Sequence, residues 1–415
     1  MRMILVFIVY LLVFGFVQWN WWKQFSQWLN SKSSKQQTLL KSLLGAILII
    51  ANTAVVFRLF WIRAGGYDTT FAQSVIYFSG VFTAMNLTAL LLLILQRVFV
   101  FIGHIFNKIR GLLVKFSSQN KRQPQTKTLA ENRFDPERRR FLLFGGKTLA
   151  AASFGVPVIG ALSTSRDYRV NRVPLYFANL PVGLEGLTIA QISDIHSGAF
   201  MTEHQIREIF EIVNSLHPNV IAMTGDFIDT SNGEIPAIHK TAGMLRSDYG
   251  IYGCLGNHDH FASINKVSAA LRQKNVRMLN NAHESLMIND ELVSIIGVDD
   301  AGRGFADYAD LKTAMENIHP DSFKILLSHR PAFFPQAQQA GIDLTLSGHT
   351  HGGQVIGEHL GLEVNPIRYF HRYLEGLYIE NEKQLYVNVG VGVAGIPIRL
   401  IPREITLLTL KRMIG

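Results

Sequence analysis

Five short segments of this 415-residue chain carry side chains able to hold divalent cations. They are Asp194-Ile195-His196, Gly225-Asp226, Gly256-Asn257-His258-Asp259, Ser328-His329 and Gly348-His349-Thr350-His351. Carboxylate and amide oxygens with imidazole nitrogens, and no thiolate, suit hard or borderline ions such as manganese, iron, zinc or magnesium. Two such ions roughly 3.5–4 Å apart need a bridging carboxylate, and together they clamp a hydroxide that attacks phosphorus in line. Thirteen of the 14 histidines lie after residue 164, so metal and acid–base chemistry belongs to the C-terminal part. The one cysteine, Cys254, allows no intramolecular disulfide and no Cys-rich metal site, and reads as a small core residue.

The elements that must position these residues can be read from hydrophobic periodicity. Strands are expected at Leu187–Ser193, Val220–Thr224, Tyr252–Leu255, Leu292–Val298, Lys324–Ser328, Asp343–Leu346 and Leu385–Val389. Helices are expected at Glu203–Leu216, Ile235–Leu245, Ile264–Gln273, Tyr308–Asn317 and Ala332–Gln339. Alternation of this kind implies a layered α/β domain with sheets covered by helices. Each of the five polar segments comes directly after a strand, and open α/β sheets place their sites at the carboxyl ends of strands.

In order and spacing the five segments resemble the blocks of the calcineurin-like metallophosphoesterases: D-x-H, G-D, G-N-H-D/E, a single His, and G-H-x-H. The resemblance covers roughly residues 187 to 410. The longer form GHTHGGQ (Gly348–Gln354) and the ending GVAGIPIRLIPREITLLTL are similar to a bacterial subgroup of membrane-attached or exported phosphodiesterases, some linked to lipid A precursors or envelope phospholipids. The fold this implies is a two-sheet sandwich flanked by helices. The resemblance puts Asp194, His196 and His351 on one metal, Asp226 as the bridge, and Asn257, His329 and His349 on the second. His258 would face the substrate, stabilise the phosphoryl oxygens and protonate the leaving oxygen, with Asp259 orienting its ring. The implied activity is metal-dependent hydrolysis of a phosphate ester, with a phosphodiester expected and lipid-linked and nucleotide substrates both compatible. The competing reading is a non-catalytic or regulatory module on this fold, coupled to the membrane region; seven retained ligands and His258 weigh against it.

Other polar residues keep two readings. Asp229 suits a helix N-cap or a partner of the ligands. Arg399 suits a phosphate contact or a surface salt bridge, and His260 could reach substrate. His217 fits a helix C-terminus, while His204, His239, His283, His319, His359 and His371 read as surface residues.

The first 164 residues have a different character. They hold 19 Lys+Arg against 4 Asp+Glu, while the remainder holds 21 against 27, so the formal net charge of +9 belongs to the N-terminal part. An acidic C-terminal part gives no basis for nucleic-acid binding. Apolar runs at Met3–Trp19, Leu43–Ile62 and Ser74–Leu95 are expected to cross a membrane as helices, with Phe141–Leu162 as a fourth span or a signal anchor. Arg138-Arg139-Arg140-Phe141-Leu142 reads either as a twin-arginine-like export signal or as the basic flank of a span. The expected organisation is therefore spans one to three over 1–116, a basic cytoplasmic linker over 117–140, the fourth run over 141–164 and the metallophosphoesterase domain over 165–415. Lysines 23, 32, 35 and 41, and eleven basic residues between Arg97 and Arg140, place those loops in the cytoplasm and the catalytic domain on the outer side of the cytoplasmic membrane. The bilayer and a phosphate ester are the partners this implies; no obligate protein partner is inferred.

Overall fold

The computed structural model describes residues 2–30, 32–63, 70–118, 155, 157–161, 168–302, 307–354 and 371–413. The arginine run at 138–140, His359, and most of the linker and fourth apolar run lie outside these residues. The chain forms two compact units, one of Met1–Thr53 with Val81–Ile159 and one of Ala54–Gly80 with Gly160–Gly415.

Helices α1 (Arg2–Leu29), α2 (Ser34–Arg63) and α3 (Thr70–Ser118) contain the first three apolar runs. The stretches Ser34–Arg58 and Ser74–Gly103 are each long and apolar enough to cross a membrane. In the first unit a polar cluster joins the three helices. The Gln18 amide donates to Asn52 Oδ1 and Asn86 Oδ1, both at 3.2 Å, and Asn52 Nδ2 donates back to Gln18 Oε1 at 2.9 Å. Such interhelical bonds constrain which helix faces meet.

The second unit holds two six-stranded sheets. The first runs β1 (Tyr168–Phe177), β12 (Arg403–Arg412), β2 (Thr188–Ile192), β3 (Val220–Met223), β4 (Ile251–Gly253), β5 (Val276–Met278). The second runs β10 (Gly376–Glu380), β11 (Lys383–Val387), β9 (Leu344–Ser347), β8 (Phe323–Leu327), β7 (Glu291–Gly297), β6 (Ala282–Ile288). Strands β2 to β5 are parallel, as are β11, β9, β8 and β7. Such strands are buried on both faces, and alternate residues face different partners. Ile189, Val220, Ala222, Cys254, Ile295, Ile325, Leu327 and Leu346 fill the space between the sheets. Ala190, Ile221 and Met223 face helices α4 (Glu203–Ser215), α5 (Ile235–Ala242) and α6 (Ile264–Arg272), which contribute Ile206, Phe210, Ile238 and Val267. Ile296 and Leu326 face outward from the second sheet, against Ala314 of α7 (Leu311–Ala314) and Ala337 of α8 (Phe334–Gln339). Helix α4 begins where Thr202 accepts from the Gln205 N–H and Gln205 bonds back, a capping box.

The two-sheet sandwich flanked by helices is thus the fold that was expected. The helix expected over Tyr308–Asn317 shortens to Leu311–Ala314, because Asp310 caps it at Thr313 and Asn317 turns left-handed.

Candidate metal centre

The carboxyl ends of β2, β3 and β4 in one sheet and of β8 and β9 in the other come together. Main-chain bonds continue past the strands: Asp194 N–H donates to Gly225 O and His196 N–H to Asp226 O, both at 3.0 Å. The sheets are joined where His349 N–H donates to the Asp194 carboxylate at 3.0–3.1 Å. That approach requires glycine at 348, since a Cβ there would run into Ser193 Oγ and Asp194 Oδ2.

Two donor clusters result, Asp194–His196–His351 and Asp226–His329–His349, with Asp226 also grouped with His196 and His258. His196 Nε2 and His351 Nε2 lie 3.1 Å apart, His351 Nε2 and Asp194 Oδ1 3.3 Å, His329 Nε2 and Asp226 Oδ2 3.2 Å, and His329 Nε2 and His349 Nδ1 3.2 Å. Ligand bonds of about 2.0–2.2 Å around one cation set donor–donor distances of about 3.0–3.5 Å. The separations are therefore those of atoms sharing an ion. His329 Nδ1–H donates to the Thr224 carbonyl at 2.8 Å, which fixes the tautomer that leaves Nε2 for a cation. Asn257 Oδ1 is buried without a hydrogen-bond partner among the described residues, a costly state for an amide oxygen unless a cation takes it. Asp226 reaches both clusters, lying 3.6 Å from His196 Nε2 and 3.2 Å from His329 Nε2. The residues present fit a pair of divalent ions.

The electrostatics agree. Burial, and then the charge of Asp226, push the Asp194 carboxyl up. Burial works the same way on Asp226, but the imidazoles of His329, His258 and His196 outweigh it and hold that carboxyl well below the usual range. Burial and the cationic neighbours keep His349 and His351 well below the ordinary histidine range, hence neutral, the form that ligates.

His258 stands beside this centre. Its N–H donates to Asp226 Oδ1 at 2.8 Å, and its ring Nδ1–H donates to the Asp229 carbonyl at 2.6 Å, with Asp229 Oδ1 at 3.4 Å. Burial alone would lower its pKa, but the hydrogen bond to Asp229 and the charges of Asp226 and Asp229 raise it to about 9. The ring is edge-on to His196, centroids 4.5 Å apart. The same Asp229 Oδ1 lies 3.3 Å from His196 Nδ1, so one carboxylate serves a ligand and the free imidazole.

This corrects the role given to Asp259. Its carboxylate is not on the His258 ring; it accepts from the backbone N–H groups of Asp226, Phe227, Ile228 and Gly256 at 2.9–3.3 Å. Asp259 therefore clamps two ligand loops together, and Asp229 orients the ring. The spacing of Asp229, three residues after Asp226 in one loop, was the signal for it. Arg399 also differs from both of its readings. It is fully buried and donates to the carbonyls of Val389, Gly390, Gly392 and Ile401 at 2.8–3.0 Å, with His351 Nδ1 at 3.2 Å. Burial lowers its pKa to about 10, which leaves it charged. Sequence reasoning missed Asp300 and Arg330. Asp300 lies just beyond the end of β7 and pairs with Arg330 at 2.6 and 3.1 Å, and Arg330 Nη1 sits 2.9 Å from His349 Nε2. Among the described residues His260 joins no donor cluster; it bonds Asp299 at 2.8 Å and stacks on Tyr308 at 4.3 Å.

Residues 187–353 match the calcineurin-like phosphoesterase family. An uncharacterized metallophosphoesterase of Aquifex aeolicus is 30% identical over 261 residues, covering 61% of this chain and 97% of that protein. One from Bacillus subtilis is 31% identical over 241 residues, 56% of this chain and 82% of the relative. The chain belongs to the calcineurin-like metallophosphoesterase family. A bovine "transmembrane protein with metallophosphoesterase domain" is 32% identical to this metallophosphoesterase over 270 residues, which is 61% of the chain but only 60% of the bovine protein's length. Family membership supports a phosphoester hydrolase that uses divalent metal, and the clusters above supply candidate ligands.

Proposed function

We propose that this metallophosphoesterase is a membrane-anchored phosphodiesterase that works with two divalent ions, its catalytic domain spanning residues 165–415 outside the cytoplasmic membrane. The observation that carries the activity is the pair of donor clusters bridged by Asp226, with a non-ligating, carboxylate-oriented His258 beside them. Asp194, His196 and His351 would hold one ion, and Asn257, His329 and His349 the other. Bound there, the ions supply Lewis acidity and a water of lowered pKa. The side chains do the rest. His258, in its cationic form, donates to a phosphoryl oxygen and delivers a proton to the departing oxygen, while Asp229 holds its ring and balances its charge. Arg330, held by Asp300, adds positive potential behind His349.

The outward placement rests on the basic loops. It is supported by Ala54–Gly80, which takes in the end of the second apolar run and the start of the third and belongs to the same unit as the catalytic residues. The test is the full chain in detergent with manganese, assayed on bis-p-nitrophenyl phosphate beside p-nitrophenyl phosphate. Metal-dependent turnover with preference for the diester is expected. Folded, metal-loaded protein that turns over neither would refute the reading. His258→Ala should keep its metal and lose most of the rate. A reporter fused at the C-terminus that works only in the cytoplasm would overturn the outward placement.

A further inference from the structure

Arg58 is the one charge inside the apolar run of α2, and it closes the membrane-length stretch Ser34–Arg58. A cation in such a helix is costly, least so near its end. Here its partners belong to the catalytic domain. Arg58 Nη2 donates to the Gly395 carbonyl at 2.7 Å, and the guanidinium lies 5.5 Å from the ring centroid of Phe200. Phe200 meets Tyr77 of α3 edge-on at 6.4 Å, and Tyr77 OH donates to the Ala161 carbonyl at 2.8 Å. Gly80 and Gly160 face Pro397 and Ile398 so closely that an added Cβ would press on them. All these residues lie in the same compact unit.

Phe200 and Gly395 sit on the two loops beside one donor cluster. Phe200 comes four residues after His196, on the segment whose Ser197 pairs with Ile228. Gly395 comes four residues before Arg399, which grips the Val389–Gly392 turn and touches His351. That turn is in turn bonded to the ligand loop, since Gly392 N–H donates to Asp194 O at 2.8 Å. One planar guanidinium can donate to a carbonyl and lie against an aromatic ring at once, whereas an ammonium on a flexible stem does the first alone with comparable geometry.

We propose that Arg58 is a positioning residue, fastening the end of a membrane helix to the two loops that flank Asp194, His196 and His351. The helix then maintains the geometry of the centre as well as the location of the chain. The effect on turnover rests on the phosphodiesterase reading; the effect on the loops does not.

The test compares the full chain in lipid nanodiscs with Arg58→Gln, Arg58→Lys and Phe200→Leu. Hydrogen exchange, bound manganese, and kcat and KM for bis-p-nitrophenyl phosphate are measured for each. Arg58→Gln should exchange at least tenfold faster over 197–201 and 392–401, with the strands of both sheets unchanged. Its kcat should fall at least tenfold while KM and manganese stay within twofold, and Arg58→Lys should recover part of both effects. Exchange in those two segments within twofold of the parent overturns the proposal, as does faster exchange with unchanged kcat. If Arg58→Gln exchanges everywhere, Phe200→Leu decides on the same two segments. If the metal-loaded parent shows no turnover, the phosphodiesterase reading fails, and the exchange comparison still decides the role of Arg58.

Discussion

Replacing Asp229 with Asn isolates the device that makes His258 useful. The side chain keeps its size, and the backbone carbonyl that accepts from His258 Nδ1 is untouched, but the carboxylate 3.4 Å from that nitrogen loses its charge. Without bound ions the His258 pKa stands at about 9, against 6.5 for a free imidazole. That difference corresponds to roughly 3 kcal/mol of preference for the cation. Asp226 contributes too, so we assign about half to Asp229, near the ~1.5–3 kcal/mol of a charge-assisted hydrogen bond. Two bound divalent ions lower the absolute value in both proteins, so the comparison between them is the measurable quantity. The sign is unambiguous. A raised imidazole pKa means a proton retained to higher pH, so removing the carboxylate moves the alkaline limb of kcat toward acid, by about one pH unit. At a pH above that limb, kcat should drop about tenfold, with bound manganese unchanged. The assay is a kcat–pH profile on bis-p-nitrophenyl phosphate with metal content measured on the same samples. An alkaline limb that stays in place, or that moves to higher pH, refutes the assignment of Asp229 as the orienting carboxylate.

Asp226→Ala removes the carboxylate common to both clusters, so bound manganese should fall from two per chain to below one, counted by elemental analysis of desalted protein. Arg399→Ala leaves four buried carbonyls without their charged donor; a loss of at least ~3 kcal/mol is expected, or about 6 °C or more in Tm at ~2–4 °C per kcal/mol. Chelation should destabilise the chain, and manganese restored to a hundred times its Kd should return about 2.7 kcal/mol, read as a Tm that climbs with metal concentration.

Much of this was legible in the sequence because strands buried on both faces announce themselves as apolar runs, and the polar residues at the end of each run then stand out. Strands β2, β3, β4, β7, β8, β9 and β11 overlap the expected ones, with ends that differ by at most two residues. Those that escaped notice lack the pattern. β1 (YRVNRVPLYF) exposes Arg169, Arg172, Pro174 and Tyr176 at a sheet edge, β5 has three residues, and β6 and β10 are half-exposed edges. β12 is apolar and central but sits in a closing segment that reads as one long motif. Roles were harder to read than positions. Asp259 and Asp229 both lie close in sequence to plausible partners, and only the path of the backbone decides which carboxylate meets the His258 ring. Asp300 comes after an expected strand, as the other site residues do, yet it carries no motif, and its value comes from the guanidinium it holds.

The feature least visible in sequence is the conformation of the donors themselves. Asp194, His196, Asp226, His349 and His351 have φ of 53°, 47°, 55°, 74° and 50°. Left-handed backbone costs a non-glycine residue about 1–2 kcal/mol, somewhat less for Asp, and nothing in a D-x-H or H-x-H string advertises it. The reason lies in direction. On extended backbone, residues two apart point the same way, whereas His349 must reach His329 while His351 reaches His196. Left-handed turns aim the two rings at different clusters. The bonds from Asp194 N–H to Gly225 O, His196 N–H to Asp226 O and Gly348 N–H to His329 O hold those turns. Strain of this kind persists only where the surroundings over-determine it. The donors are therefore aimed by main-chain bonds of the protein itself, which link the ligand loops within each of the two sheets.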